Sequence, residues 1–379
     1  MKRRLYLNIG AAIVIALTFT SCVKNAPGIC NCNPDNLVVD IRVFSSGFNN
    51  PRGLKWGPDG RLYVAEGGIG GTDSTIGQCT QVPGAGPYLG SNTGARISRV
   101  DHNGNRSTFV DNLPSSQTAP IPQPLISGVA DVAFIDHTLY ALISGAGCSH
   151  GVPDIPNGII KVDHNGSWNF IANLSNYYMN NPVANPEDED FEPDGTAYSM
   201  INVNNNLYVV EPNHGELDRI TPKGDITRII DISASQGHIV PTAQVFHHGN
   251  FYVGNLNVFP IAGNSKIFKI TPGGEISVVD SGFSTILGVT FDELGGLYVL
   301  ENTTGNPFPT PGTGDIIRID PSGDRLTIAS NLNLPTAMTF GPDNKLYVSN
   351  WGYGGSPGMG EILQIDVSCA KQHHNFKKR

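Results

Sequence analysis

The segment Leu334-Pro-Thr-Ala-Met-Thr-Phe-Gly-Pro-Asp-Asn-Lys-Leu-Tyr-Val-Ser-Asn350 reads as two short strands joined by a tight turn. Ala337 to Phe340 alternates, and Gly341-Pro342-Asp343-Asn344 supplies the turn, because proline presets φ while Asn and Gly accept left-handed geometry. Leu346-Tyr347-Val348 is aromatic and β-branched, as a strand requires. A Gly-rich loop then leads to Glu361-Ile-Leu-Gln-Ile-Asp366, apolar on alternate residues, a third strand. Three short antiparallel strands cannot bury their faces alone, so such a unit must stack against others of its kind.

The others are present. The second-strand core recurs as Leu62-Tyr63-Val64, Leu139-Tyr140-Ala141, Leu207-Tyr208-Val209, Phe251-Tyr252-Val253, Leu297-Tyr298-Val299 and Leu346-Tyr347-Val348. The third strand recurs as Ile97 to Val100, Ile159 to Val162, Leu217 to Ile220, Ile267 to Ile270, Ile316 to Ile319 and Ile362 to Ile365. All but the last are followed by a Gly turn and a fourth strand, such as Thr108 to Val110, Ile226 to Ile230 or Leu326 to Ala329. The last copy lacks a fourth strand, whereas Ile41-Arg-Val-Phe44 near the N-terminus is a strand without a blade. It is followed by Gly47-Phe-Asn-Asn-Pro51, which parallels the passage from fourth to first strand at Ile328 to Pro335. The N-terminal strand is therefore expected to complete the last sheet and close a ring, which removes exposed sheet edges. The fold class is all-β: a six-bladed β-propeller of four-stranded antiparallel blades.

Composition agrees. Among 379 residues, 45 Gly and 27 Pro suit a turn-rich all-β chain, and the repeat makes it one domain despite its length. The formal net charge of −9, with basic residues clustered only in the tail, argues against a nucleic-acid partner. Residues 1–22 read as a targeting segment: Lys2-Arg3-Arg4 precedes an apolar run from Ile9 to Phe19, too short to span a membrane comfortably. The end, Phe19-Thr-Ser-Cys22, resembles a bacterial lipobox with Cys22 as the lipidated residue, although Phe19 stands where Leu is usual. The expected organisation is a signal peptide (1–22), a tether (23–37), a propeller (38–369) and a disordered basic tail (370–379). The expected location is the cell envelope, outside the cytoplasm, with membrane attachment through the lipid; the alternative is a secreted or periplasmic protein.

Export permits disulfides. Cys79 and Cys148 lie in the loops after the second strands of adjacent blades and could bridge them. Cys369 ends the last blade while Cys30 and Cys32 precede the closing strand, so Cys369 with Cys32 (or Cys30) could staple the closure. Free buried cysteine is the alternative, and the Cys and His spacing suits no metal.

In a propeller, the loops between second and third strands and the links between blades open on one face. Here those are long: Gly67 to Gly94, Gly145 to Asn157, Asn302 to Gly314, Trp351 to Gly360 and the acidic link Asn173 to Asp194. The opposite face carries tight turns, so function is expected on the long-loop face. The runs Glu211 to Gly224, Asp231 to Thr242, Phe251 to Leu256 with Phe259-Pro-Ile261, Leu287 to Val289 and Leu297 to Glu301 resemble the ScyD/ScyE family, within the wider NHL-repeat propellers. The Cys-containing loop ending Thr93-Gly-Ala-Arg-Ile97 does so too, and the resemblance spans residues 40 to 367. It implies the propeller fold and no established reaction.

Second-strand ends carry Glu66, Glu211, Asn255, Glu301 and Asn350, and first-strand starts carry Arg52, Asp131, Thr196, Thr242 and Thr336. Arg52, Glu66, Asn213, Asn255 and Asn350 are the ligand-binding candidates at the channel mouth. Glu211, His214, His238 and Glu301 are the catalytic candidates, provided they converge on one cavity. The plainer reading of strand-end Glu and Asn is that they hold loop N–H groups. No carboxylate set of the gluconolactonase type stands at the first-strand starts, and Arg52 would repel a cation there. No cofactor or metal is expected, save that the acidic run Glu187 to Asp194 has oxygen ligands for calcium without a calcium-loop spacing. The expected function is a monomeric module that binds a small molecule or an envelope protein on its long-loop face; the alternative is an extracytoplasmic hydrolase or lyase.

Overall fold

The computed structural model describes residues 37–84, 86–118, 124–186, 191–257, 262–305 and 309–369. The leader with Cys22, the cysteines Cys30 and Cys32, the side chain of Cys369, residues 187–190 of the acidic run, Phe259 to Ile261 and the basic tail lie outside this set.

Six antiparallel sheets form the ring. The closing strand β1 is Leu37–Phe48. Blade I holds β2 (Pro51–Trp56), β3 (Leu62–Glu66), β4 (Leu89–Val100), β5 (Arg106–Gln117) and the short β6 (Ile126–Ser127). Blade II holds β7 (Val129–Ile135), β8 (Thr138–Ile143), β9 (Gly158–Val162) and β10 (Trp168–Asn173). Blade III holds β11 (Ser199–Val203), β12 (Asn206–Glu211), β13 (Glu216–Ile220) and β14 (Ile226–Asp231). Blade IV holds β15 (Pro241–His247), β16 (Asn250–Asn255), β17 (Ser265–Ile270) and β18 (Ile276–Phe283). Blade V holds β19 (Ile286–Phe291), β20 (Leu297–Glu301), β21 (Gly314–Ile319) and β22 (Arg325–Leu332). Blade VI holds β23 (Ala337–Phe340), β24 (Leu346–Asn350) and β25 (Gly360–Cys369), and β1 completes it in the order β1-β25-β24-β23. Leu37 pairs with Cys369 and Phe48 with Gly360, so the two ends of the propeller share one sheet and the ring is closed as the sequence predicts.

The core is distributed among the blade interfaces. Tyr63, Ile97 and Val110 of blade I pack with Val132, Leu139 and Ile160 of blade II, and each further interface has its own cluster, down to Leu54 and Leu62 against Phe48, Tyr347 and Ile362 where blade VI meets blade I. The recurrent tyrosine sets the spacing. Opposite it on the third strand stands a basic or amide residue in every blade: Tyr63 with Arg99, Tyr140 with Lys161, Tyr208 with Arg219, Tyr252 with Lys269, Tyr298 with Arg318, Tyr347 with Gln364. At four interfaces an aromatic ring from the next blade's first strand meets the tyrosine edge-on: Phe134 on Tyr63 at 5.0 Å, Phe291 on Tyr252 at 5.0 Å, Phe340 on Tyr298 at 5.2 Å and Trp56 on Tyr347 at 5.1 Å. This is the geometry aromatic quadrupoles favour.

The structure departs from the sequence reading in four places. The loop expected to run to Gly94 ends earlier, because β4 starts at Leu89 and pairs with an equally extended β5. Blade I gains a fifth strand, β6, where Ser116 and Gln117 pair with Ser127 and Ile126. Blade III begins at Ser199 rather than Gly195. Short helices also appear: α1 (Leu174–Asn180), capped by the Asn173 side chain accepting from Asn176 N at 2.9 Å, α2 (Ser233–Gln236), and a 3-10 turn Cys148–His150. Segments this brief carry too few residues for a 3.6-residue period to show.

Candidate functional site

The strand-end acids and amides lie on the long-loop face, and each reaches back to the link that enters its own blade. Glu66 accepts from Asn49 N at 2.6 Å, Glu211 from Thr196 N at 2.8 Å, Glu301 from Ser284 N at 2.5 Å, and Asn350 from Asn333 N at 2.8 Å. Asn255 donates to Ile239 O at 2.8 Å and accepts from Lys266 N at 2.7 Å. Apart from Lys266, the backbone partner stands 15 to 17 residues upstream of the side chain in each of these. The repeat thus contains a side-chain latch that fixes the blade entry. Glu66 is further held by Arg96 Nε at 2.9 Å and Ser98 Oγ at 2.5 Å, and it is fully buried. Burial pushes Glu301 up to about 7 and also raises Glu211, against the hydrogen bonds that favour their charged forms.

Glu211, His214, His238 and Glu301 do not converge. Glu211 receives His214 N at 2.5 Å, and the His214 ring sits between Tyr178 and Phe191, with Nε2 3.1 Å from Glu192 O. Glu301 belongs to blade V and faces Ser284. His238 is half-buried ahead of blade IV, and Asn213 is buried in the loop after β12. Glu211 and Glu301 thus hold the links of two different blades, and no described hydrogen bond joins one to the other.

The six first strands line an axial cavity. Its long-loop end is bridged by Tyr198. From blade III its hydroxyl donates to Thr336 O of blade VI, diametrically opposite, at 2.8 Å. The Arg52 guanidinium meets Tyr198, donates to Ile126 O, and lies 5.8 Å from the centre of the Tyr353 ring. Tyr353 donates to Asn302 Oδ1 at 2.5 Å, and Asn302 donates to Pro335 O at 2.7 Å. Burial pushes Tyr198 up to about 12 and raises Tyr353 as well, so both hydroxyls stay protonated. Arg52 is thus part of a closure rather than an open cradle. Thr242 and Thr336 donate to Ile286 O (2.5 Å) and Pro51 O (2.7 Å), tying each blade to the next. Asp131 lies against Gly53, accepts from Val132 N and Met200 N at 2.8 Å, and is pushed by burial to about 6 despite nearby Lys55.

The long loops build a plateau over blades I to III. Cys79 and Cys148 are joined as a disulfide, with Cα atoms 6.2 Å apart. Thr75 donates to Cys148 O at 2.5 Å. Tyr88 and His150 meet the two oxygens of Glu192 at 3.0 Å, and Ser149 holds Asp194 through N and Oγ at 2.8 and 2.7 Å. The described end of the acidic run is therefore tied into the protein rather than solvated. Beside the disulfide lies a groove bordered by Cys79, Cys148, Asp154, Asn173, Asn176 and Met179.

Sequence reasoning missed two groups. Tyr198 and Tyr353 stand outside the repeated strand motif, and only the ring brings them together. On β13, Glu216 and Asp218 are fully buried; Arg228 pairs with Glu216, while both oxygens of Asp218 lack a hydrogen bond. Burial raises both, Glu216 to about 7 and Asp218 well above its ordinary range; the Glu211 charge adds to the rise at Glu216, and the Glu216 and Glu211 charges add to that at Asp218. Alternation in Glu216-Leu-Asp-Arg-Ile220 signals a strand, yet gives no hint that its acids face the protein. Among the described residues, no group of three His, Cys, Asp or Glu is arranged to hold a metal.

The fold and these sites define the class, a six-bladed β-propeller. Solved structures that resemble it include a protein of unknown function from Bacteroides thetaiotaomicron, with 12% identity over 88% of this chain and 76% of that one, at a TM-score of 0.55. An auxiliary nutrient binding protein from the same organism has 10% identity over 88% and 77%, at 0.54. A gluconolactonase from Xanthomonas campestris has 11% identity over 87% and 90%, at 0.50. At such identities the likeness extends to the fold alone. No protein-family model matches the chain. No curated protein matches it either.

Proposed function

We propose that this protein is an extracytoplasmic binding module of ScyD/ScyE type, held to the envelope by a lipid on Cys22, whose recognition surface is the disulfide-pinned groove on the long-loop face. One observation carries the reading. The side chains that an enzyme would need at the channel mouth are engaged in holding loops, while the groove beside Cys79–Cys148 is built, roomy and open. The disulfide itself supports an oxidising compartment. The groove offers a carboxylate (Asp154), two amides (Asn173, Asn176) and the exposed Met179, which suits a polar ligand with an apolar edge.

The test is a thermal-shift screen of the purified protein against sugars, lactones, divalent ions and pigment precursors. A ligand at about 100 times its dissociation constant raises stability by about 2.7 kcal/mol. A hit that Asn176→Ala abolishes and Arg52→Ala leaves intact supports the groove. A hit with the reverse pattern moves the site to the channel mouth. Silence throughout, with capture of a specific envelope protein lost on Asn176→Ala, makes the groove a protein-docking surface.

A further inference from the structure

On the opposite face, the third-strand residue that stands opposite the recurrent tyrosine finds different partners in different blades. In blade V the third-strand Arg318 donates through Nε to the turn residue Asp292 at 2.8 Å. In blade VI the equivalent Gln364 donates to the turn residue Asp343 at 3.2 Å, and Lys345 of that turn looks elsewhere, to Asp366 at 3.0 Å. Blade I has the same turn, Pro58-Asp59-Gly60-Arg61, but the bonds are redistributed. The Tyr63 hydroxyl takes Asp59 at 3.1 Å, as Tyr347 takes Asp343 at 3.0 Å, but here Arg61 takes the turn acid as well, at 3.2 Å. Arg99, where Arg318 and Gln364 stand in their blades, meets the Tyr63 hydroxyl instead, keeps a buried Nε without a hydrogen bond, and lies 4.6 Å over the Phe109 ring.

Arg99 thereby has no carboxylate bonded to it, and it lines a groove between blades I and II. The groove has an aromatic floor of Tyr63, Phe109 and Phe134, packed edge to face at 5.5 and 5.0 Å, and a rim that includes Arg61, His137 and His164. Asp59, the carboxylate among its lining residues, is already bonded; Asp136 and Asp163 adjoin the two histidines in sequence. A guanidinium whose companions are a hydroxyl and an aromatic ring rather than a carboxylate, beside edge-to-face aromatic rings, fits a planar anion on a ring-shaped body: the guanidinium takes the carboxylate and the aromatic floor takes the ring.

We propose that the groove between blades I and II on the tight-turn face binds a small carboxylate carried on a ring, with Arg99 as the anion receptor. The site is separate from the long-loop groove, so neither reading depends on the other.

The experiment is calorimetric titration of the full chain with glucuronate and with benzoate, against glucose and benzyl alcohol as their neutral counterparts. At least one acid binds more than about tenfold better than its neutral counterpart, and added salt weakens that binding. Which acid wins identifies the ring as sugar or aromatic. Arg99→Gln weakens binding by about tenfold or more, and Arg99→Lys restores only part, because an ammonium lacks the fork. Arg61→Gln, an exposed change that keeps the fold, also weakens binding by releasing Asp59 to Arg99. Asn176→Ala leaves binding unchanged. The proposal is overturned if neither acid binds at about 10 mM, weaker than any useful affinity. Equal binding of the neutral counterparts, or insensitivity to both arginine substitutions, overturns it as well.

Discussion

Glu66, Glu211, Glu301 and Asn350 show how one side chain can be read in two ways. Each stands at a strand end on the face where propellers place their chemistry, and each holds a backbone N–H of the link behind it. Glu301→Ala would leave the Ser284 N–H buried without a partner, and should cost about 1–3 kcal/mol in denaturant unfolding. Glu301→Gln keeps an acceptor oxygen and should stay within about 1 kcal/mol of wild type near neutrality. The sign of its pH dependence follows from the raised folded value of about 7 against 4.5. The stabilising contribution is complete below about 4.5 and is lost as pH rises through 7, since the folded state holds the proton longer. Glu301→Gln should therefore gain on wild type between pH 5 and pH 8 in paired thermal melts. Asp218 carries the same sign, because burial and the Glu216 charge both favour its protonated form. Asp218→Asn should raise the melting temperature at pH 8 and give no gain at pH 4; an equal shift at both would contradict a buried, protonated Asp218.

The element that sets this propeller apart is the loop between β3 and β4, folded over blade II and pinned there by Cys79–Cys148. The bond spans 69 residues, so reducing it or making Cys79→Ser should cost about 2–4 kcal/mol through the freedom it returns to the unfolded chain. Hydrogen exchange should then rise in residues 67–88 and 145–157 while the blade strands stay protected. Exchange spreading into β8 and β9 would mean that the loop supports the sheet beneath it. The extension of β4 and β5 was hidden in sequence because Leu89 to Thr93 is small and polar, without the alternation that marks a strand with one buried face. Their pairing is decided by each other and by the overlying loop, through contacts such as Ser115 Oγ donating to Gly67 O at 2.6 Å.

For the molecule as a whole, closure is the feature on which the rest depends. β1 and β25 pair over ten residue positions, and Phe48 of β1 is fully buried against blade I. Removing residues up to Phe48 should expose β25 as an unpaired edge and yield oligomer or aggregate in light-scattering chromatography. A stable monomer would show that closure is dispensable. The sequence by itself determined the blade count, the strand order and the strand that closes the ring. Those depend on period, alternation and turn chemistry, which act between near neighbours and repeat. It also placed Glu66, Glu211 and Glu301 at strand ends, and Cys79 and Cys148 in adjacent loops. Only the tertiary structure decided what these residues touch. Tyr198 meets Thr336 from 138 positions away, Tyr88 meets Glu192 across 104, and Arg99 meets Tyr63 where Arg318 reaches Asp292. A side chain's strand position follows from local rules, but its partner is set by how six blades with unequal loops pack around one axis, and no local pattern encodes that.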